Sequence, residues 1–452
     1  MSMFIRNNSG LSKLKGRKRG KHLSGGFLKK SKKDFDNEEI VSDDESSSIE
    51  NSPARIASED EYEDVQETAF RKAKELLTRV QSEVKDEEGV ADEAVVSNKL
   101  KEEALSRILT LHRPVADTVT LGDTCLAYRA HRYSTVAVVM SHDDRYLVSC
   151  SKDATVVKYD LEEGKKVASL KLHKNDNNYH KGHIYAIAIS PDDCLLVTGG
   201  SDTIIRVWDF RTFQHIKNLS GHKDTITGLC FRIGTRQLFS SSKDRTVKAW
   251  DLDQMGYIDT MFGHADAITG IDVLTRCRVL TSGGQDKSLH IWKVMEESQL
   301  IFNAYTSSFS IDCCALINEE HFASGSADGS ICLWSTFKKK PVCIQKLAHG
   351  LSSENHPNWI ICLASRRYTD LLASGSNDGY IRFWKIAIDY KSLKALFSFP
   401  MAGFINNICF SEDGLELACA VGQEHKDGRW WINKSAKNLV VLITLHEAEQ
   451  LQ

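Results

Sequence analysis

No apolar stretch of this chain is long enough to cross a bilayer. The best continuous run, residues 439–445, has seven residues, against the roughly 20 that a spanning helix needs. The first residues lack the unbroken apolar core of a secretory signal. Twelve cysteines are present, yet no CxxC pair occurs, and most, including Cys230, Cys332, Cys362 and Cys409, fall in segments patterned as strands. Cysteines so placed pack as small hydrophobes, which points to a reducing compartment rather than a disulfide framework. The sequence has no phosphate-cradling glycine loop, no metal-ligand spacing and no nucleophile elbow. No cofactor and no catalytic residue is expected.

Acid is missing from residues 1–33, which carry eleven Lys and Arg, and abundant in residues 34–67, which carry fourteen Asp and Glu with one Arg. Blocks of like charge repel themselves and stay unfolded, so residues 1–61 are read as a disordered tail, basic and then acidic. The basic part suits nuclear import or nucleic-acid phosphate, with a merely solvated tail as the competing reading. The acidic part, around Ser46, Ser47 and Ser48, suits an acid-directed kinase. Residues 62–114 read as helical. Phe70, Ala73, Leu77, Val80 and Val84 share one face over 62–88, and Leu100, Ala104, Ile108 and Leu111 share another over 92–111, before Pro114.

From residue 115 to 452 a repeat takes over. Asp153, Asp202, Asp244, Asp286, Asp328 and Asp378 each precede an aromatic by six residues: Tyr159, Trp208, Trp250, Trp292, Trp334 and Trp384. Three of the successive intervals between these Asp residues are 42, and the outer two are 49 and 50. Each copy alternates apolar residues in a first strand, then runs through a Ser/Gly-rich strand, the Asp turn and a strand ending in the aromatic. Gly182-His183, Gly221-His222 and Gly263-His264 precede several copies. Period, Gly-His and Trp-Asp together mark the WD-repeat β-propeller, an all-β ring with four strands per blade. Six blades contain the Asp residues, and a seventh begins at Phe404. An open ring would expose an edge, so residues 124–128 are expected to return as the outer strand of blade seven.

The recurring His, Ser/Thr, Asp and Trp resemble a hydrolase triad if read alone. They recur as His183, Thr198, Asp202 and Trp208, as His222, Ser240, Asp244 and Trp250, and as His264, Ser282, Asp286 and Trp292. An active site has no need of several copies, whereas each blade needs buried hydrogen bonds to fix its turns. They are therefore read as a structural lock.

Function is expected where the copies differ. Residues 171–182, with Lys171, Lys174 and Lys181, and residues 348–359, with Trp359, lengthen two blade-to-blade connections. In the last blade Glu424 and Trp430 keep the six-residue spacing, but residues 439–445 make the better third strand. Residues 422–438 then form an enlarged loop. All three segments would emerge on one rim. There Lys426, Arg429, Lys434 and Lys437 could track phosphate beside Trp430 and Trp431, as irregular RNA requires. The competing reading puts both Trp side chains in blade packing and leaves the Lys residues solvated.

The words outside the generic repeat narrow the resemblance. They are Glu296-Glu-Ser-Gln-Leu300, Ser310-Ile-Asp-Cys313, Leu316-Ile-Asn-Glu-Glu-His321, Lys338-Lys-Lys-Pro341, Ala348-His-Gly350, Gly403-Phe-Ile-Asn406 and Gly422-Gln-Glu-His-Lys-Asp-Gly-Arg-Trp-Trp431, with Lys99-Leu-Lys-Glu-Glu103 ahead of the ring. In these the chain resembles the WD-repeat family of the U3 small nucleolar ribonucleoprotein. The resemblance implies a non-catalytic, nucleolar RNA-binding scaffold in pre-18S rRNA processing. It also implies as partners the box B/C region of U3 RNA, a kink-turn-binding protein, the other box C/D proteins and the small-subunit processome. Departures are Ala130-His131 and Tyr159 in blade one, the missing Gly-His of blades five and six, and the Asn-rich residues 175–178. A protein-binding adaptor in another nuclear complex is the alternative, because propellers host many roles.

Overall fold

A computed structural model of the chain describes residues 113–129, 131–171, 176, 178–304, 310–352 and 355–447. The charged tail, the helices expected over 62–88 and 92–111, and Lys174 lie outside the described residues.

The described residues form seven four-stranded antiparallel sheets arranged as the blades of a propeller. Blade one is typical: Thr135–Met140 lies innermost, followed outward by Tyr146–Ser151, Val156–Asp160 and Lys165–Leu170. The inner strands surround a central channel of about 1000 Å³.

The repeated Asp has a local cause. It sits immediately before a residue in the left-handed region: Ala154, Thr203, Arg245, Lys287, Gly329 or Gly379. Five of the six carboxylates accept the N–H two residues on, Asp244 from Thr246 at 3.0 Å and Asp286 from Ser288 at 2.9 Å among them. The side chain thus adds a bond to a tight turn that the backbone also closes, as from the Arg245 N–H to the Ser242 carbonyl at 3.3 Å. The aromatic six residues later lies across from a buried residue of the preceding strand, as in Leu196–Trp208 and Leu238–Trp250.

Cores form between neighbouring blades. Trp208 and Leu196 of blade two pack with Val148, Cys150 and Val156 of blade one, all essentially inaccessible. Burying such side chains contributes about 1.5–3 kcal/mol each, so the ring gains most of its stability only when adjacent blades meet.

Ring closure follows the expected route. Blade seven has the order Val119–Tyr128, Leu439–Glu447, Glu416–Gly422, Phe404–Phe410, so the segment entering the ring supplies the outer strand of the blade that ends it. Gly122 lies in a register break of that clasp, where a Cβ would overlap Thr444. The chain ahead of the clasp is tied to blade six, with the Val115 and Ala116 N–H groups both donating to Asp370 at 2.7 and 2.9 Å.

Candidate nucleic-acid interface

The blade lock is present, with two corrections to the residues expected from sequence. In blade three His222 meets Asp244 at 2.9 Å and Ser240 at 2.7 Å, and Trp250 donates to the same Ser240 hydroxyl at 2.9 Å. In blade two the histidine is His180, which bonds Asp202 at 2.9 Å and Thr198 at 2.7 Å, while Trp208 donates to Thr198 at 2.9 Å. His183 instead bonds the Lys152 carbonyl. In blade four the shared hydroxyl is Thr281, which joins His264 and Trp292 at 2.8 Å each, with His264 also on Asp286 at 2.7 Å. Ser282, one residue along the strand, pairs with Thr269. Alternation sends Thr281 and Ser282 to opposite faces of the sheet, so only one can meet the lock.

Blade six carries a lock that the Gly-His motif missed. His349 bonds Asp378 at 2.9 Å and Ser374 at 2.7 Å. The signal available in sequence was spacing: His131, His180, His222 and His264 each stand 22 residues before their Asp. Blade six lengthens that interval to 29 because its insertion follows the histidine.

Residues 422–438 form the enlarged loop. The strand pairing that ends at Val421–Leu439 gives way to an irregular excursion closed by a Glu424–Ile432 bridge. Its base is pinned from several sides. Gln423 N–H donates to Asn438 at 2.9 Å, Gln423 Nε2 to the Ala436 carbonyl at 2.7 Å and Glu424 N–H to Ser134 at 2.9 Å. Asn438 in turn donates to the Arg132 carbonyl at 3.1 Å. Blade one and blade seven thus hold the loop together.

Trp430 is not a repeat tryptophan. It is 62 % exposed and Trp431 is 44 % exposed, in contrast to the buried tryptophans of the lock. The reading that packs both rings inside a blade is therefore overturned. Trp431 stands edge-on to Phe404 at 5.8 Å, beside a shallow cavity lined by Asn377, Ile432, Asn433 and Lys434. Trp430 lies 5.7 Å from His425. A Cβ on Gly428 would overlap the Trp430 ring, so only glycine lets that ring fold back over the loop. Arg429 extends over the Tyr133 ring at 5.1 Å, with its Nε on Glu424 at 3.1 Å. Lys434 and Lys437 are exposed.

Lys426 does not join this surface. It turns inward, lines the channel, and its Nζ donates to the Ile361 carbonyl at 3.3 Å. Burial opposes its charge, but Asp427, Cys313 and Asp312 outweigh that and shift its pKa upward. Burial in turn pushes the Asp312 carboxyl up to about 6. Lys426 is committed to internal electrostatics and is removed from the set offered to a ligand on the rim.

The other irregular segments reach the same rim. Trp359, in the connection before blade six, packs edge-on to His425 at 5.6 Å. The connection before blade two joins through His183, on the carbonyl of Lys152, whose ammonium reaches the loop. Lys171 and Lys181 are exposed at the two ends of that connection.

Comparison with known proteins places these features in context. Residues 122–160, 165–209, 213–251, 256–293, 297–335 and 343–385 match the model of the WD domain, G-beta repeat. Of blade seven only the outer strand falls in a matched segment; its other three strands and the loop lie beyond residue 385. The human protein "U3 small nucleolar RNA-interacting protein 2" is 45 % identical over 394 residues, covering 85 % of this chain and 82 % of the relative. An Arabidopsis thaliana protein, "U3 snoRNP-associated protein-like EMB2271", is 34 % identical over 446 residues, 92 % of each chain. The solved "Structure of U3-55K" superimposes with a TM-score of 0.68 at 39 % identity, covering 74 % of this chain and all of the other.

Proposed function

Since the chain belongs to the WD-repeat family of U3 small nucleolar RNA-interacting proteins, we propose that it is a non-catalytic scaffold that binds U3 small nucleolar RNA in the nucleolus. It would engage the box B/C region together with a kink-turn-binding protein, join the other box C/D proteins in the small-subunit processome, and help position the RNA for pre-18S rRNA processing. One observation carries the reading: residues 422–438 present Arg429, Lys434 and Lys437 beside two exposed tryptophans on a loop pinned at its base. Cations placed beside aromatic faces supply phosphate attraction and base stacking, while the ordered base of the loop limits the entropy lost on binding. Lys171 and Lys181 would extend the phosphate track along the rim, with Lys174 between them in sequence.

The triad-like group of blade three supports a scaffold role, since His222, Ser240, Asp244 and Trp250 are engaged with one another in holding the blade. A protein-adaptor reading draws on Ile432 and on Tyr257, Ile258 and Phe262 of the outer strand of blade three, all exposed. Affinity purification of the full-length chain with and without ribonuclease, followed by sequencing of the co-purified RNA, separates the two. Strong enrichment of U3 RNA, and loss of processome proteins on ribonuclease treatment, is expected. A ribonuclease-insensitive partner set with no enriched small RNA would favour the adaptor.

A further inference from the structure

Lys152 is out of place by its surroundings. It stands immediately before the repeat Asp of blade one. The same position in blades two to six holds Ser201, Lys243, Gln285, Ala327 and Asn377, all half-buried or exposed. Lys152 is buried, with a side chain only 3 % accessible. Its Nζ donates to the His425 carbonyl at 2.6 Å and the Gly428 carbonyl at 3.4 Å, and lies 3.8 Å from the Glu424 carboxylate. Burying an ammonium is unfavourable unless acceptors surround it, and here every nearby acceptor belongs to the enlarged loop.

Glu424 stands between two cations. Lys152 approaches from inside the ring, and Arg429 Nε approaches from outside at 3.1 Å. The glutamate side chain is 16 % accessible, whereas that of Arg429 is 55 % accessible. The trio has a net charge of +1, and the exposed member is the arginine. Without Lys152, the carboxylate would have Arg429 as its one counter-charge in the trio. The pair would then present no net charge to a ligand.

We infer that Lys152 is a positioning residue for RNA recognition: it neutralises Glu424 from within and so leaves the Arg429 guanidinium available to a backbone phosphate. This rests on the RNA-binding reading above. The role is electrostatic: the bonds from the same ammonium to the carbonyls of residues 425 and 428 hold it in place beside Glu424.

The test uses the full-length chain and a U3 RNA transcript with its kink-turn protein, titrated at fixed salt. Lys152→Met removes the charge and keeps the volume. It is expected to weaken binding roughly tenfold, the scale of one charge-assisted hydrogen bond. Adding Glu424→Gln to Lys152→Met removes the carboxylate that would sequester Arg429, and is expected to restore most of the affinity. Glu424→Gln alone, which leaves the buried lysine in place, is expected to bind at least as tightly as the parent and guards against a misfolded Lys152 variant. Unchanged affinity in Lys152→Met, failure of the double variant to recover, or weaker binding by Glu424→Gln alone would each overturn the inference. If Lys152→Met binds normally while charge reversal at Arg429 and Lys434 abolishes binding, the inference falls and the RNA-binding reading stands.

Discussion

Trp208 and His180 converge on one hydroxyl: the indole N–H donates to Thr198 Oγ1 at 2.9 Å and the imidazole Nε2 bonds the same oxygen at 2.7 Å. Thr198 is fully buried. Replacing it with the near-isosteric valine would leave two buried polar groups unpaired, which costs about 2–4 kcal/mol. Urea unfolding of Thr198→Val should show that loss. His180→Ala should be much more damaging than His183→Ala, because the His180 ring joins both Asp202 and Thr198 whereas the described side-chain hydrogen bond of His183 is to the Lys152 carbonyl. Equal losses from the two histidine variants would contradict the assignment of the lock.

The lock should make the ring sensitive to acid. Burial raises the Asp244 carboxyl, but hydrogen bonds from His222, Thr246 and the Lys223 N–H outweigh it and hold the group well below the usual range. Asp153 is held low in the same way, against burial, by His131 and Thr155. Asp286 is held at about 2, His264 and Ser288 outweighing burial. A carboxyl with a depressed folded-state pKa stabilises the fold fully above its unfolded value, and that contribution is lost as pH falls through the folded value. The contribution of these three carboxyls should therefore be level down to about pH 4 and fall between about pH 4 and 2. Urea midpoints measured across that range should fall less steeply for Asp244→Asn than for the parent, and an identical slope would contradict the account.

The clasp offers a test of ring closure apart from blade stability. A side chain at Gly122 would collide with Thr444 in the strand it pairs with. Gly122→Val should loosen Val119–Tyr128 from Leu439–Glu447, seen as faster amide exchange across both strands, while strands of blade three keep the parent's protection. Uniform loss of protection around the ring would show that closure and blade stability cannot be separated.

Gly428 controls the orientation of Trp430. Any Cβ there overlaps the ring, so Gly428→Ala should displace the indole. The expected result is a shifted tryptophan fluorescence, weaker U3 RNA recovery and an unchanged melting temperature. Normal recovery with a displaced ring would remove Trp430 from the binding surface.

The ring was legible because it is periodic. The Asp-to-aromatic spacing marked six blades, and the weak edge that an open ring would leave pointed to residues 124–128 as the closing strand, now seen within Val119–Tyr128. Reading residues 439–445 as a strand, rather than ending the blade at Trp430, gave the enlarged loop its bounds. The failures share a cause. The Gly-His motif points to His183, whereas the 22-residue spacing selects His180. Ser282 and Thr281 are both hydroxyls at the expected place, and only Thr281 faces the lock. Lys426 shares the charge of its neighbours in sequence, yet it turns into the channel. Side-chain direction in an irregular loop follows from what lies beneath it, and Lys152 is distant in sequence from the loop it supports. No local pattern encodes that pairing.

Residues 422–438 are proposed to bind RNA through charge presented outside the folded core. Arg429→Glu with Lys434→Glu reverses two exposed cations and leaves every blade-lock hydrogen bond in place. Full-length protein carrying both changes should melt at the parent's temperature and recover little or no U3 RNA. Its residual binding should be less steeply salt-dependent, by about one unit of slope for each phosphate no longer engaged. Parental recovery of U3 RNA at parental stability would rule out this loop as the RNA-binding surface.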